Sequence, residues 1–219
     1  MRTSVALWLL LIAFGPSAYD RALLWNADST VVRLEDAKNT GSGVVIGKHT
    51  APGGCLLLIG TARHVAEENN LPRPLHLDGN AGPVSGRAVW AASADSAVVE
   101  FLMPTPCKQV AYRVALVSKY PARRGDKVFG AGYPLGVRFF SWGTISDVEL
   151  LLSDYFTPGP FTTAIYPGAP GHSGGPLFNG FGQVVGLVVA GTERAPMLAI
   201  LSTAAQLRTV AKQFPEWEI

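Results

Sequence analysis

The chain is short of charge, of histidine and of long apolar runs, and each shortage closes off a class of function. Charged residues make up 16 % of its 219 residues and the formal net charge is only +2. No Lys or Arg cluster is longer than Arg123-Arg124. The chain therefore offers no basic surface of the kind that neutralises phosphates, and nucleic acid is not an expected partner. There are four histidines, no H-E-x-x-H stretch and no paired cysteine spacing. Neither a metal nor an organic cofactor is expected. The N-terminal apolar segment, Val5 to Phe14, falls short of the roughly 20 residues that span a bilayer comfortably.

That segment fits a different role. Met1 to Ser4 is short and positive, Val5 to Phe14 is an apolar core, and Pro16-Ser17-Ala18 supplies a break and small residues. This is the pattern of an export signal, with cleavage near Ala18, although Pro16 sits where a small residue is preferred. The expectation is an exported protein, secreted or periplasmic. The alternative is that residues 1–18 stay as a membrane anchor and bring the protein to a membrane. The cysteines are two, Cys55 and Cys107. An exported protein could pair them; the other reading is two separate buried thiols, and sequence does not decide between them.

What the chain does have is glycine, proline and apolar residues. With 24 glycines, 16 prolines and 48 % apolar residues, it can bury a large core in many short strands joined by turns. Strand candidates run through Thr30–Leu34, Gly43–Gly47, Cys55–Ile59, Leu75–Leu77, Arg87–Trp90 and Asp95–Phe101, with Val110–Val117 expected to close a first barrel. Asn39 to Gly43 reads as a turn, and Asp20 to Asn26 as a connector. Pro121 to Gly125 is the best linker. After it, Lys127–Phe129, Val137–Val148 (bent at Gly143), Leu150–Phe156, Phe161–Tyr166, Pro176–Phe178, Val184–Ala190 and Met197–Leu201 are strand candidates. Ser202 to Phe214 changes to helical spacing, with Ser202 or Thr203 as N-cap and Pro215 as the stop. The whole is all-β with a C-terminal helix. The expected domains are 19–120 and 121–219.

One stretch organises the rest: Gly171-His172-Ser173-Gly174-Gly175-Pro176-Leu177. Glycines around a serine let the backbone bend sharply and bring N–H groups to a reacting atom. A serine hydroxyl is a weak nucleophile alone; it needs a base for its proton and donors for the oxyanion it creates. Thr61-Ala62-Arg63-His64-Val65-Ala66 follows one apolar run, and Asp95-Ser96-Ala97-Val98-Val99 opens another.

With these motifs in the order His, Asp, Ser, the chain resembles the trypsin-like (chymotrypsin-fold) serine peptidases, which carry T-A-x-H, D-x-A-V and G-x-S-G-G-P-L. Gly132-Tyr133-Pro134-Leu135-Gly136 and Gly143-Thr144-Ile145-Ser146 also resemble the HtrA/Deg-type branch, here with no PDZ-sized extension. The resemblance implies two six-stranded antiparallel β-barrels with the site between them. It implies Ser173 as nucleophile, His64 as general base and then acid, and Asp95 holding the imidazole. The N–H groups of Gly171 and Ser173 would form the oxyanion hole. Asp78, beside Gly79-Asn80, competes with Asp95 but looks like a turn residue. The primary pocket would be walled by Tyr166–Pro170 and Leu187–Gly191, with Pro167, Leu187, Val188, Val189 and Ala190 as substrate-binding residues. No acid or base lies there, so P1 should be small or medium and apolar; the competing reading is that Leu187 to Val189 are simply core.

His172 departs from the Asp or Asn usual before the serine. In zymogens of the family that aspartate pairs with a newly cut N-terminal amine, so this chain should need no such salt bridge. The His172 side chain is expected to point away from Ser173 and to pack as a polar residue near the oxyanion loop. Two rivals are weaker. The α/β-hydrolase elbow G-x-S-x-G needs a later histidine and a helix after the serine; here Gly-Gly-Pro follows and no histidine comes after His172. A non-catalytic trypsin-like binding module is the other, and it would have less reason to carry all three residues. The partner expected is a protein or peptide substrate.

Overall fold

The structure is a computed structural model describing residues 17–35, 40–68, 71–72, 75–77, 88–90, 95–151, 160–192 and 195–214. The N-terminal segment to Pro16, Asp78 with its turn, the hairpin tip before Pro160 and Pro215 lie outside the described residues.

The chain enters as a helix, α1 (Ala18–Thr30), where the sequence was read as a connector. Ser17 and Asp20 form a reciprocal cap, each side chain taking the other's backbone N–H. Leu23, Ala27 and Thr30 fall at helical spacing and are buried. The cap sits inside the small-residue break of the expected cleavage region.

Six strands then form one antiparallel sheet: β1 (Val31–Glu35), β2 (Thr40–Ala51), β3 (Gly54–Ala62), β6 (His76–Leu77), β7 (Ala88–Trp90) and β8 (Ser96–Met103). Between β3 and β6 lie a short helix α2 (Arg63–Ala66) and a small ladder of β4 (Glu67–Glu68) with β5 (Leu71–Pro72). The spatial order is β6-β1-β2-β3-β8-β7, curled but not closed among the described residues. Thr40 to Gly43 is strand, not turn: its glycines serve close packing, since a Cβ on Gly41 would meet Val65 at 2.5 Å and one on Gly43 would meet Ile59 at 2.6 Å. Val110–Val117 makes no strand of this sheet either. It crosses as an extended strap, held by Ala115 N–H to Val45 O (2.8 Å) and Arg113 N–H to Ser29 O (2.7 Å), and ends in a bridge from Val117 to Val184.

The second half closes completely. Strands β9 (Lys127–Gly132), β10 (Phe139–Leu151), β11 (Pro160–Ile165), β12 (Pro176–Phe178), β13 (Val184–Thr192) and β14 (Ala195–Thr203) form a six-stranded antiparallel barrel, ordered β10-β11-β14-β13-β12-β9. β10 runs without a break from Phe139 to Leu151, across the gap expected between Val148 and Leu150, and its Leu151 pairs with Pro160; residues 152–156 of the expected Leu150–Phe156 strand lie outside the described residues. Helix α3 (Ala204–Ala211) follows, capped by Thr203 and Gln206 in a reciprocal box.

The apolar runs are continuous because both faces of the strands are covered. In β3, Cys55, Leu57 and Ile59 point into the first sheet's own core with Phe101, while Leu58 on the other face joins the core between the two sheets. That shared core also takes Leu23 and Ala27 of α1, Phe129, Phe178 and Leu187 of the barrel, and Leu207, Val210 and Phe214 of the C-terminal segment. Period-two alternation thus sorts side chains between two apolar regions rather than between core and water. Each such Leu or Phe contributes about 1.5–3 kcal/mol. Cys55 and Cys107 are joined in a disulfide.

Candidate active site

The strand register brings His64 and Asp95 together. β3 and β8 pair antiparallel with Ala62 opposite Ser96, so the residues just past one strand's end and just before the other's start share one edge. Arg63 donates its N–H to the Asp95 carbonyl at 3.3 Å. The carboxylate then grips the next residue twice: Oδ1 accepts from His64 N–H at 3.1 Å, and Oδ2 lies 2.6 Å from His64 Nδ1. Held this way, Nδ1 carries the proton and Nε2 faces away from the acid. The imidazole is 49 % exposed and the carboxylate 16 %, so the ring is open to solvent while the carboxylate is shielded. The neighbouring Arg63 makes a forked pair with Glu67 at 2.7 and 3.1 Å.

Ser173 comes from the barrel, on the loop between β11 and β12. Two backbone positions shape that loop. Gly171 has φ +92° and Gly174 φ +85°, in the region L side chains avoid. A Cβ on Gly174 would stand 2.0 Å from Ser42 O and 2.1 Å from Thr61 Oγ1. The loop therefore lies directly on β2 and on the end of β3, at Thr61, three residues before His64. Strand β13 pins it from the other side, Gly174 N–H to Val188 O at 2.7 Å and Val188 N–H to Gly175 O at 2.8 Å. No hydrogen bond joins Ser173 to His64 among the described residues; the structure brings their segments into contact and sets the His64–Asp95 pair. The N–H groups of Gly171 and Ser173 donate to no protein acceptor among the described residues.

His172 is 1 % exposed. Its Nε2 lies 2.9 Å from the Tyr166 hydroxyl, and its ring meets Phe139 and Tyr166 edge to face. Burial pushes the imidazole down to about 4, against a smaller upward pull from the Ala131 carbonyl. Nδ1 has no well-aligned hydrogen bond. Burial also raises the Tyr166 phenol. The ring's Nε2 and the phenol are bonded to one another, and His172 packs on the loop's inner face.

The sequence-predicted pocket divides. Leu187, Val188 and Val189 are 0 %, 3 % and 3 % exposed and sit in three separate core clusters. Pro167 and Ala190 are half-buried, and Ala190 packs against the cluster that holds Val189. Sequence reasoning missed Ser42, read as part of a turn, which makes two hydrogen bonds to the serine loop, to Gly171 O and Ser173 O. Its signal was weak: a polar residue between two glycines, at the head of a β-branched run.

A closed six-stranded barrel, a curled six-stranded sheet, an interposed His–Asp pair and a glycine-bent serine loop define the chymotrypsin-like class of serine peptidases. The trypsin-like peptidase domain family matches residues 41–187, and the chain belongs to that family. None of the curated proteins compared with it matches significantly by sequence. Among solved structures it is similar to the Rv3671c protease of M. tuberculosis. The inactive form of a serine-to-alanine mutant superposes with a TM-score of 0.68 at 19 % identity, covering 94 % of this chain and 97 % of that one. The active form gives 0.69 at 19 %, covering 90 % and 86 %. An HtrA-type protease, AlgW, solved with a tripeptide, gives 0.70 at 20 %, covering 91 % of this chain and 64 % of that one.

Proposed function

We propose that this serine peptidase works through Ser173, His64 and Asp95, cleaving peptide bonds by way of an acyl-enzyme. Ser173 Oγ attacks the scissile carbonyl carbon while His64 Nε2 takes its proton. The carbonyl oxygen becomes an oxyanion, received by the N–H groups of Gly171 and Ser173. As the C–N bond breaks, Nε2 gives the proton to the departing amine. Water then enters in place of the amine and the same steps in reverse free the acid and Ser173. The observation that carries this reading is the double grip of Asp95 on His64, which fixes the tautomer the base requires.

Two finer readings accompany it. An apolar P1 residue, Val, Ala or Leu, suits a wall of Pro167 and Ala190 with no charged side chain to pair a Lys or Arg. No N-terminal salt bridge is needed, because the position before the serine holds a buried imidazole already bonded to Tyr166. Export is proposed on the N-terminal apolar segment together with the Cys55–Cys107 disulfide, which persists in oxidising compartments.

The test is labelling with a fluorophosphonate probe, wild type beside Ser173→Ala, and mass spectrometry of the modified peptide. Stoichiometric modification at Ser173 in the wild type alone is the expected result. A folded wild type that takes up no probe, or takes it elsewhere, refutes the triad.

A further inference from the structure

Ser42 belongs to the first sheet, yet its polar groups meet the loop of the second barrel. It is fully buried. Its N–H donates to Ser173 O at 2.8 Å. Its hydroxyl donates to Gly171 O at 2.8 Å and accepts Tyr133 N–H at 2.8 Å. Its own carbonyl accepts the Thr61 hydroxyl at 2.7 Å. Every polar atom of the residue is used, and two of the bonds end on the carbonyls that flank His172.

Those carbonyls alternate with two others. Pro170 O accepts Leu135 N–H at 2.7 Å and His172 O accepts Gly175 N–H at 2.9 Å. Four consecutive peptide planes, from Pro170 to Ser173, are thus held by their carbonyls. A trans peptide is planar and points its N–H opposite its C=O. Holding the Pro170 and His172 carbonyls aims the N–H groups of Gly171 and Ser173. Ser42 holds the plane between them and the plane after. The middle plane is held at both ends, its carbonyl by the Ser42 hydroxyl and its N–H by Ala169 O at 3.0 Å, next to Gly171 at φ +92°.

We propose that Ser42 is a positioning residue of the oxyanion hole. Its hydroxyl locks the Gly171–His172 peptide from across the cleft and so keeps the two donor N–H groups convergent. This rests on the assignment of the hole to Gly171 and Ser173. Removing the hydroxyl takes that partner from the Gly171 carbonyl and the Tyr133 N–H, and leaves the middle plane held only through His172 N–H to Ala169 O, so that it can tilt. The base and its carboxylate are untouched. Loss of hole alignment should therefore act on the transition state rather than on substrate binding or on the titration of the base.

The experiment uses the full chain and compares wild type, Ser42→Ala, and the near-isosteric pair Ser42→Thr and Ser42→Val. Thr keeps the hydroxyl and Val removes it, with the same added bulk, so crowding cancels between them. Ser118→Ala, which removes a buried hydroxyl bonded to Tyr120 O, controls for general loosening. In folded Ser42→Ala, kcat on a peptide ester should fall about 10–100-fold with KM within about threefold. The pH profile of kcat/KM should keep its midpoint, and a peptide aldehyde inhibitor should weaken by a matching factor. Ser42→Thr should exceed Ser42→Val by tenfold or more, and Ser118→Ala should retain wild-type kcat. The proposal is overturned if Ser42→Ala keeps kcat within twofold, if Thr and Val behave alike, or if the loss falls in KM. An inert wild type instead refutes the peptidase mechanism itself and removes this proposal with it.

Discussion

Acidification should destabilise this protein through His172. The ring is buried, neutral and bonded to Tyr166 in the native state, whereas in the unfolded chain it meets water. Its folded value of about 4 lies below the ordinary value of 6.5. Between those values the unfolded chain binds a proton that the native protein refuses, so stability rises with pH across the window and is lost as pH falls through it. At about 1.4 kcal/mol per pH unit, the gap is worth roughly 3 kcal/mol by pH 4. For a chain of this size that corresponds to a fall in Tm of roughly 6–12 °C. Carboxylates also titrate here, so the measurement is a difference: urea and thermal melts at pH 7, 6, 5 and 4 for wild type and for His172→Asn. The variant should be less stable at pH 7, since Tyr166 loses its partner, but should lose about 3 kcal/mol less than wild type on acidification. Parallel curves for the two proteins would show that the ring is not held neutral by burial, and the reasoning would fail.

Other expectations follow from the same geometry. Removing the disulfide as Cys55→Ser with Cys107→Ser should cost about 4 kcal/mol, because the bond closes a loop of 52 residues; chemical denaturation measures it, and a loss under 1 kcal/mol would mean that the unfolded chain is not constrained as supposed. That loop encloses both His64 and Asp95, so activity should become more heat-sensitive in the variant than in wild type. Asp95→Asn should lower kcat by roughly 10⁴-fold, as such a change does in the template for this mechanism, with little change in Tm. A variant within tenfold of wild-type kcat would remove Asp95 from the mechanism.

The sequence could show motifs whose requirements are local. A serine bent between glycines, a histidine at the end of an apolar run, and an aspartate opening another are each legible because backbone conformation and strand periodicity are set by neighbours in the chain. The C-terminal helix was legible for the same reason: Thr203 and Gln206 make its cap within one turn. The capping box of α1 was equally local, but Ser17 and Ala18 fitted an export signal as well, and a short-range pattern that serves two readings does not choose between them. What the tertiary structure alone decided is long-range. The β3–β8 register puts His64 beside Asp95, 31 residues apart. The strap at Val110–Val117 lacks a ladder because its carbonyls and N–H groups are spent on Lys48, Val45 and Val184 rather than on a neighbouring strand. Leu187 is core because the first sheet covers it, Val188 because the barrel closes around it, and Val189 because it packs with Ala62 and Phe161. Ser42 reaches Gly171 across 129 residues, and no pattern near Ser42 encodes that contact. Local sequence specifies which conformations a segment can adopt; which distant groups then satisfy its hydrogen bonds and cover its apolar faces depends on the packing of the two sheets against each other.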